Sequence, residues 1–197
     1  SDVCSSDLLA ALLPPGVEIT CWDSGYEAAV VESLAPTVDT RIRFTKTAPE
    51  GRADVVLMLD VLEHVPDDAG FLREIVTKQM RDRATLVFSV PAWPQLWSMH
   101  DVRLSHERRY TPREARAVLE GAGLRIVSCG GAFHSLILPR AVEVLRERLR
   151  PRPDTSAVRS SEWRGPGWFT KVVDYALSRD NALARRASQA GLDLPGL

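Results

Sequence analysis

An apolar run from Val55 to Leu59 leads straight into Asp60, Glu63 and His64, before the turn signal of Pro66, Asp67 and Asp68. A continuous apolar run of this kind predicts a strand buried on both faces in the middle of a parallel sheet. In open α/β sheets ligands collect outside the carboxyl ends of such strands, so three ionisable side chains stand where a ligand is expected. A second group lies between Trp93 and Tyr110 and holds Trp97, His100, Asp101, His106, Arg108, Arg109 and Tyr110. Imidazoles titrate near neutral pH and suit proton transfer, Asp101 can orient one of them, and Arg109 with Tyr110 suits a carboxylate, phosphate or phenol. Plainer readings stand beside these: Glu63 and His64 as a pair steadying a turn, and Trp93, Trp97 and Tyr110 packing a loop whose charges are solvated or paired internally. His100, Asp101 and His106 match no strong zinc spacing and no Cys joins them, so no metal is expected.

The elements that position these groups follow from periodicity. Leu8 to Leu13 reads as the end of a helix stopped by Pro14, Pro15 and Gly16, and Val17 to Trp22 as a short strand ending at Asp23. Ser24 to Glu27 has the form of a capping box for a helix carrying Tyr26, Ala29, Val30, Ser33 and Leu34 on one face. Arg41 to Phe44 is a short strand. Asp67 caps a helix with a stripe of Phe71, Leu72, Ile75, Val76 and Met80, and Ala84 to Val90 is the next strand. A loop of about twenty residues follows, long enough to mark function or disorder. Thr111 to Glu114 is a capping box with Pro112 at the first helical position, and Gly123 ends that helix before a strand from Leu124 to Cys129. Helix and strand alternate throughout, which predicts a doubly wound α/β sheet. Leu138, Val142, Leu145 and Leu149 stripe one more helix with a basic outer face, Pro151 to Gly167 reads as a linker, and Phe169 to Leu177 and Ala182 to Ala190 form C-terminal helices.

Composition narrows the class. The chain has 197 residues, 45% hydrophobic and 26% charged, with a formal net charge of -1. That supports one soluble core and argues against nucleic acid as partner; small or lipid-like ligands fit better. Three scattered cysteines, Cys4, Cys21 and Cys129, form neither a disulfide framework nor a zinc motif. Together with the lack of a leader or a transmembrane run, they predict a cytoplasmic protein. The Arg-rich stretch from Arg140 to Arg150 offers at most weak contact with an anionic membrane surface.

On three features the chain resembles the class I S-adenosylmethionine-dependent methyltransferases of the type 11, 12 and 23 kind: Asp23 ending a strand, the run from Asp54 to Val65, and Val90-Pro91 after a later strand. A narrower likeness lies in Leu96 to Asp101 and His106 to Thr111. The resemblance implies a Rossmann-like sheet, S-adenosylmethionine as cofactor, and methyl transfer to an O, N or C atom of a small-molecule or lipid-like acceptor. It implies cofactor contacts from Asp23, through the ribose hydroxyls, and from Asp60, Val61 and Leu62. Substrate contacts would come from Glu63, Trp97, Asp101, Arg109 and Tyr110, and catalytic candidates are His100, His106 and His64. Members of the family also carry a first strand with a Gly-x-Gly-x-Gly loop and a last strand, neither of which is found here. The expected organisation is therefore a junction segment over residues 1–7, an incomplete methyltransferase domain over 8–139, and a helical appendage over 140–197 with its linker at 151–167. An inactive fragment or interaction module is the alternative, and a nucleotide-dependent oxidoreductase is disfavoured by the absence of Gly-x-Gly-x-x-Gly after any strand.

Overall fold

The computed structural model describes residues 9–34, 39–149, 167–189 and 196; the expected junction over 1–7 and almost all of the 151–167 linker lie outside them. The chain divides into two compact units, Ser1–Asp54 with Lys78–Ala84, and Val55–Thr77 with Thr85–Leu197.

In the first unit β1 (Ile19–Trp22) pairs in parallel with β2 (Ile42–Thr45), Ile19 opposite Ile42 and Trp22 opposite Thr45. Between them lies α1 (Ala28–Leu34). That helix starts later than the Ser24 capping box predicts. Instead the Asp23 carboxylate accepts the Gly25 amide at 2.7 Å, an Asx turn that competes with helix for the same backbone. Tyr26, expected on the helix, packs edge-on to Phe44 at 5.7 Å. Arg41 ties the unit together: it donates to the Ala10 and Pro14 carbonyls at 2.6 and 3.1 Å, closing the helical turn at residues 9–12, and its Nη2 meets Asp39 at 2.8 Å. A concavity of about 350 Å³ lies over this ladder, lined by Gly16, Glu18, Ile19, Thr20 and residues 40–43, and includes none of the predicted site residues.

The strands β3 (Ala53–Leu59) and β4 (Met80–Ser89) form a second two-stranded sheet. Asp54 meets Arg81 near the starts of both strands, and the Asp60 amide donates to the Ser89 carbonyl at both C-terminal ends, so the two run in the same direction. β4 begins four residues before the predicted Ala84, because the helix stripe ends early: α2 (Asp68–Glu74), capped by Asp67, passes into a wider π turn (Ile75–Gln79), and Met80 is already strand. β3 is buried on one face only, a correction to the expectation of two. Met58 and Val56 pack with Leu62, Leu72, Ile75, Tyr110 and the inner side of α4 (Pro112–Gly121), while Val55, Leu57 and Leu59 are about half exposed. Burial on both faces requires a helical layer on each side, and α2 with α4 covers one.

The predicted twenty-residue loop is ordered: a 3-10 turn (Pro94–Leu96) and a short α3 (Met99–Arg103) fill it, and a parallel bridge between Ala92 and Tyr110 closes its neck. The Thr111 capping box forms as read, and Gly123 leaves the helix at φ +86°. Residues 124–130, by contrast, form no strand. Leu124 and Ile126 still turn inward and Val127 outward, but alternation without a ladder neighbour is not a strand.

In α5 (Ile137–Leu149) the predicted face is reversed. Arg140 and Val144 are buried, whereas Leu138, Leu145 and Leu149 are more than half exposed. The C-terminal residues form one continuous α6 (Gly167–Gln189) rather than two helices, held to the turn before α5 by Asp180, which accepts the amide and hydroxyl of Ser135 at 2.8 and 2.7 Å. Among the described residues no helix is long and apolar enough to cross a membrane.

Asp39 carries a pH prediction. Hydrogen bonds from the Arg41 side chain and amide hold its carboxyl down at about 2. A depressed folded-state pKa contributes stability that is complete above the ordinary value near 4 and is lost as pH falls toward 2. Acid titration of wild-type protein and Asp39→Asn, followed by circular dichroism, should converge near pH 2 and separate above pH 4, with wild type the more stable.

Candidate active site

The site grows from the end of β3. Asp60 leaves the strand in a left-handed conformation, φ +53°, with its carboxylate accepting the Ser89 hydroxyl at 2.9 Å. That reversal turns the chain into a 3-10 turn (Leu62–His64), which drops Leu62 and Glu63 into the interior, both 0% exposed, and leaves His64 at the surface. Val61 is 37% exposed beside it. Leu62 belongs to the core cluster, so only its backbone is left to face a ligand.

The 93–110 segment closes over this turn. The Glu107 amide donates to the Glu63 carbonyl at 2.7 Å, and Arg108 reaches the Pro66 carbonyl at 2.7 Å and Asp68 at 2.9 Å. Tyr110 donates to Asp68 at 2.8 Å, and burial followed by that bond pushes its phenol well above the usual range. His106 is thereby brought against His64, edge to face, with ring centroids 4.7 Å apart.

Asp101 is the centre of the loop. Its Oδ1 accepts Arg109 Nε at 2.7 Å and His106 Nδ1 at 3.0 Å; its Oδ2 accepts the Ser98 amide at 2.9 Å and Arg140 Nη2 at 3.0 Å. Burial works to raise its pKa, and the Arg109 bond and Ser98 amide outweigh it, holding the carboxyl below its ordinary value. Because a carboxylate only accepts, His106 presents Nδ1–H to Asp101, which makes Nε2 the acceptor nitrogen of the neutral ring. Glu63 is the opposite case. Neither of its carboxylate oxygens has a hydrogen-bond partner, and burial pushes its pKa up to about 7, with Asp60 adding in the same direction.

Of the predicted site residues, Glu63, His64 and His106 converge on one corner, with Asp101, Arg109 and Tyr110 buried behind it. Trp97 is half-buried at the end of the 3-10 turn. His100 lies on the exposed side of α3, its pKa lowered by partial burial and then by Arg140. Asp23 is exposed after β1 in the first unit. Sequence reading missed Arg140 and Ser98 as members of the Asp101 network. The serine was visible as the residue three before Asp101, the spacing of a capping box, which it forms.

Removing the central carboxylate leaves the buried Arg109 without its ion-pair partner and Arg140 with the exposed Glu143 alone, so Asp101→Ala should destabilise the protein by about 3–5 kcal/mol. Glu143→Ala removes the exposed partner of Arg140 and should cost no more than roughly 1 kcal/mol. Urea denaturation of the two variants side by side measures both.

No curated protein matches this sequence. Residues 9–129, which run from the first described helical turn to the end of the segment after α4, match the family model for the methyltransferase domain. With that match over more than half of the chain, and the Rossmann-like α/β arrangement it implies, the protein belongs to the class I S-adenosylmethionine-dependent methyltransferases of the type 11, 12 and 23 kind.

Proposed function

We propose that this chain transfers the sulfonium methyl of S-adenosylmethionine to an O, N or C atom of a small-molecule or lipid-like acceptor seated at the C-terminal end of β3. The observation that carries this reading is the corner of Glu63, His64 and His106: an exposed imidazole from His64 beside a largely buried one from His106, backed by a buried carboxylate, just beyond the strand end where ligands of such sheets gather.

The residues present fit part of the cofactor. Asp23 is an exposed carboxylate fixed by the Gly25 amide, the chemistry that two ribose hydroxyls need as acceptor. Within the other unit, Asp60, Val61 and the backbone of Leu62 are the candidate cofactor contacts at the end of β3. When bound, S-adenosylmethionine supplies a methyl group on a positive sulfur, which keeps the bonding electron pair and becomes a neutral thioether as the methyl leaves. The chain's own part is to hold the acceptor atom in line and to loosen its proton where it carries one. His64 and His106 do the latter. Trp97 supplies apolar surface to the acceptor, and Asp101, Arg109 and Tyr110 act as positioning residues, since burial leaves them no open face.

The reading includes an incomplete sheet, supported by the division of the described strands into two two-stranded sheets and by the lack of any Gly-x-Gly-x-Gly run in the sequence. That lack also favours a second reading, a non-catalytic module built on the same fold. A cytoplasmic setting goes with either and is supported by three scattered cysteines without disulfide or zinc spacing. Weak contact with an anionic membrane surface would fall to Arg146 and Arg148, because Arg140 is buried in ion pairs.

Calorimetric titration of the folded chain with S-adenosylhomocysteine tests the first reading. Micromolar affinity is expected, falling about 10- to 100-fold in Asp23→Ala for the loss of charged hydrogen bonds. Unchanged affinity in that variant would remove Asp23 from the site. No binding by folded wild-type protein would leave the non-catalytic module.

A further inference from the structure

We infer that Glu63, His64 and His106 form a binding site for a divalent cation of the zinc and cobalt class. Their ligand atoms, one from each residue, lie within 4.8 Å of one another. Two imidazoles and one carboxylate are the mixed nitrogen and oxygen set that such borderline cations take, at about 2.0–2.2 Å per bond. Ligands around a tetrahedral centre of that size stand roughly 3.4 Å apart, so the corner has to draw in by roughly 1 Å. His64, exposed at the surface, is the residue with room to move.

Two independent features point to a cation. The first is Glu63. A carboxylate that is 0% exposed with both oxygens unpartnered is an expensive arrangement, normally relieved by a hydrogen bond, a countercharge or a metal. Arg109, the guanidinium whose charge acts on Glu63, is already bonded through Nε to Asp101 and through Nη1 to the Ala92 carbonyl. The second is the set of contacts behind the two rings. His106 Nδ1 faces Asp101 Oδ1 at 3.0 Å, and His64 Nδ1 faces the Ser105 carbonyl at 3.4 Å. Both partners are acceptors, so both rings donate from Nδ1, and in the neutral rings a cation binds Nε2. A carboxylate or carbonyl behind each ligating histidine is the arrangement that fixes its tautomer and strengthens it as a ligand.

With three protein ligands the cation keeps open positions for water or for an oxygen of the acceptor. The use of the cation in methyl transfer rests on the function proposed above; its binding does not. On that use His64 and His106 act on the acceptor's proton through the metal they hold, and oxygen acceptors are favoured over nitrogen and carbon.

The test is titration of the chelator-treated 197-residue chain with Co²⁺, followed by visible absorption, and with Zn²⁺ in competition. One equivalent should bind with d–d bands of nitrogen and oxygen ligation and without thiolate charge transfer. His64→Ala, at an exposed position, and the isosteric Glu63→Gln should each weaken binding at least tenfold while the far-ultraviolet spectrum is unchanged. Absence of stoichiometric binding, a thiolate band, or wild-type affinity in both variants overturns the site. Loss of cation binding with S-adenosylhomocysteine binding retained overturns this inference alone; the reverse result overturns the methyltransferase reading alone.

Discussion

The carboxylate of Asp101 is the constraint on which the candidate site depends. It accepts bonds from Arg109, His106, the Ser98 amide and Arg140, so one residue caps α3, locks α5 against it and sets the tautomer of His106. A buried ion network of this kind adds little net stability, since desolvation offsets most of the Coulomb attraction. What it contributes is geometry. Four donors aimed at two oxygens leave the 93–110 segment a single arrangement, and that arrangement sets the ring of His106 beside His64.

The core supplies the other half of the same geometry. Tyr110 is at once a member of the apolar cluster with Met58, Leu62, Leu72 and Ile75 and the hydrogen-bond partner of Asp68. The loop therefore ends on a residue that cannot shift without opening the core. Its start is joined to the same point, through the Trp93 amide on the Tyr110 carbonyl and the Tyr110 amide on the Pro91 carbonyl. An eighteen-residue excursion closed at its neck in this way, and carrying its own helix, behaves as a structured lobe rather than as a tether.

What was legible in the sequence was what is decided locally. The Asp67 cap, the Thr111 box with Glu114, the stop at Gly123 and the existence of all four described strands depend on residues a few positions apart. The errors in burial and strand pairing were non-local. The α5 face came out reversed because helical periodicity shows where the leucines lie, not that Arg140 has a carboxylate waiting 39 positions earlier. The expected strand after Gly123 keeps its alternation and lacks a ladder, since period two shows a residue's two sides and says nothing of a neighbour. Within the site, the chemistry of Glu63, His64 and His106 was readable as a set of candidates. Their convergence across 42 positions was not, and neither was the burial of Glu63, which reads in sequence as a polar residue at a turn.

Backbone strain is concentrated where those non-local contacts act. Of the five described non-glycine residues with positive φ, Asp60, Trp93 and Ser105 flank the site, and each conformation costs roughly 1 kcal/mol or more. Each has an identifiable use. Asp60 turns the chain off β3 so that Leu62 enters the core while His64 stays at the surface. Trp93 directs its indole N–H to the Gly196 carbonyl at 2.6 Å, and Ser105 aims its carbonyl at His64 Nδ1. A relaxed backbone at position 105 would release the His64 ring, and one at position 60 would carry the whole turn out of register with the loop. Local strain is thus held in place by the Asp101 network and the Tyr110 anchor. The corner they position is consequently rigid on the His106 side and adjustable on the His64 side, the combination that lets an exposed ligand close onto a preformed partner.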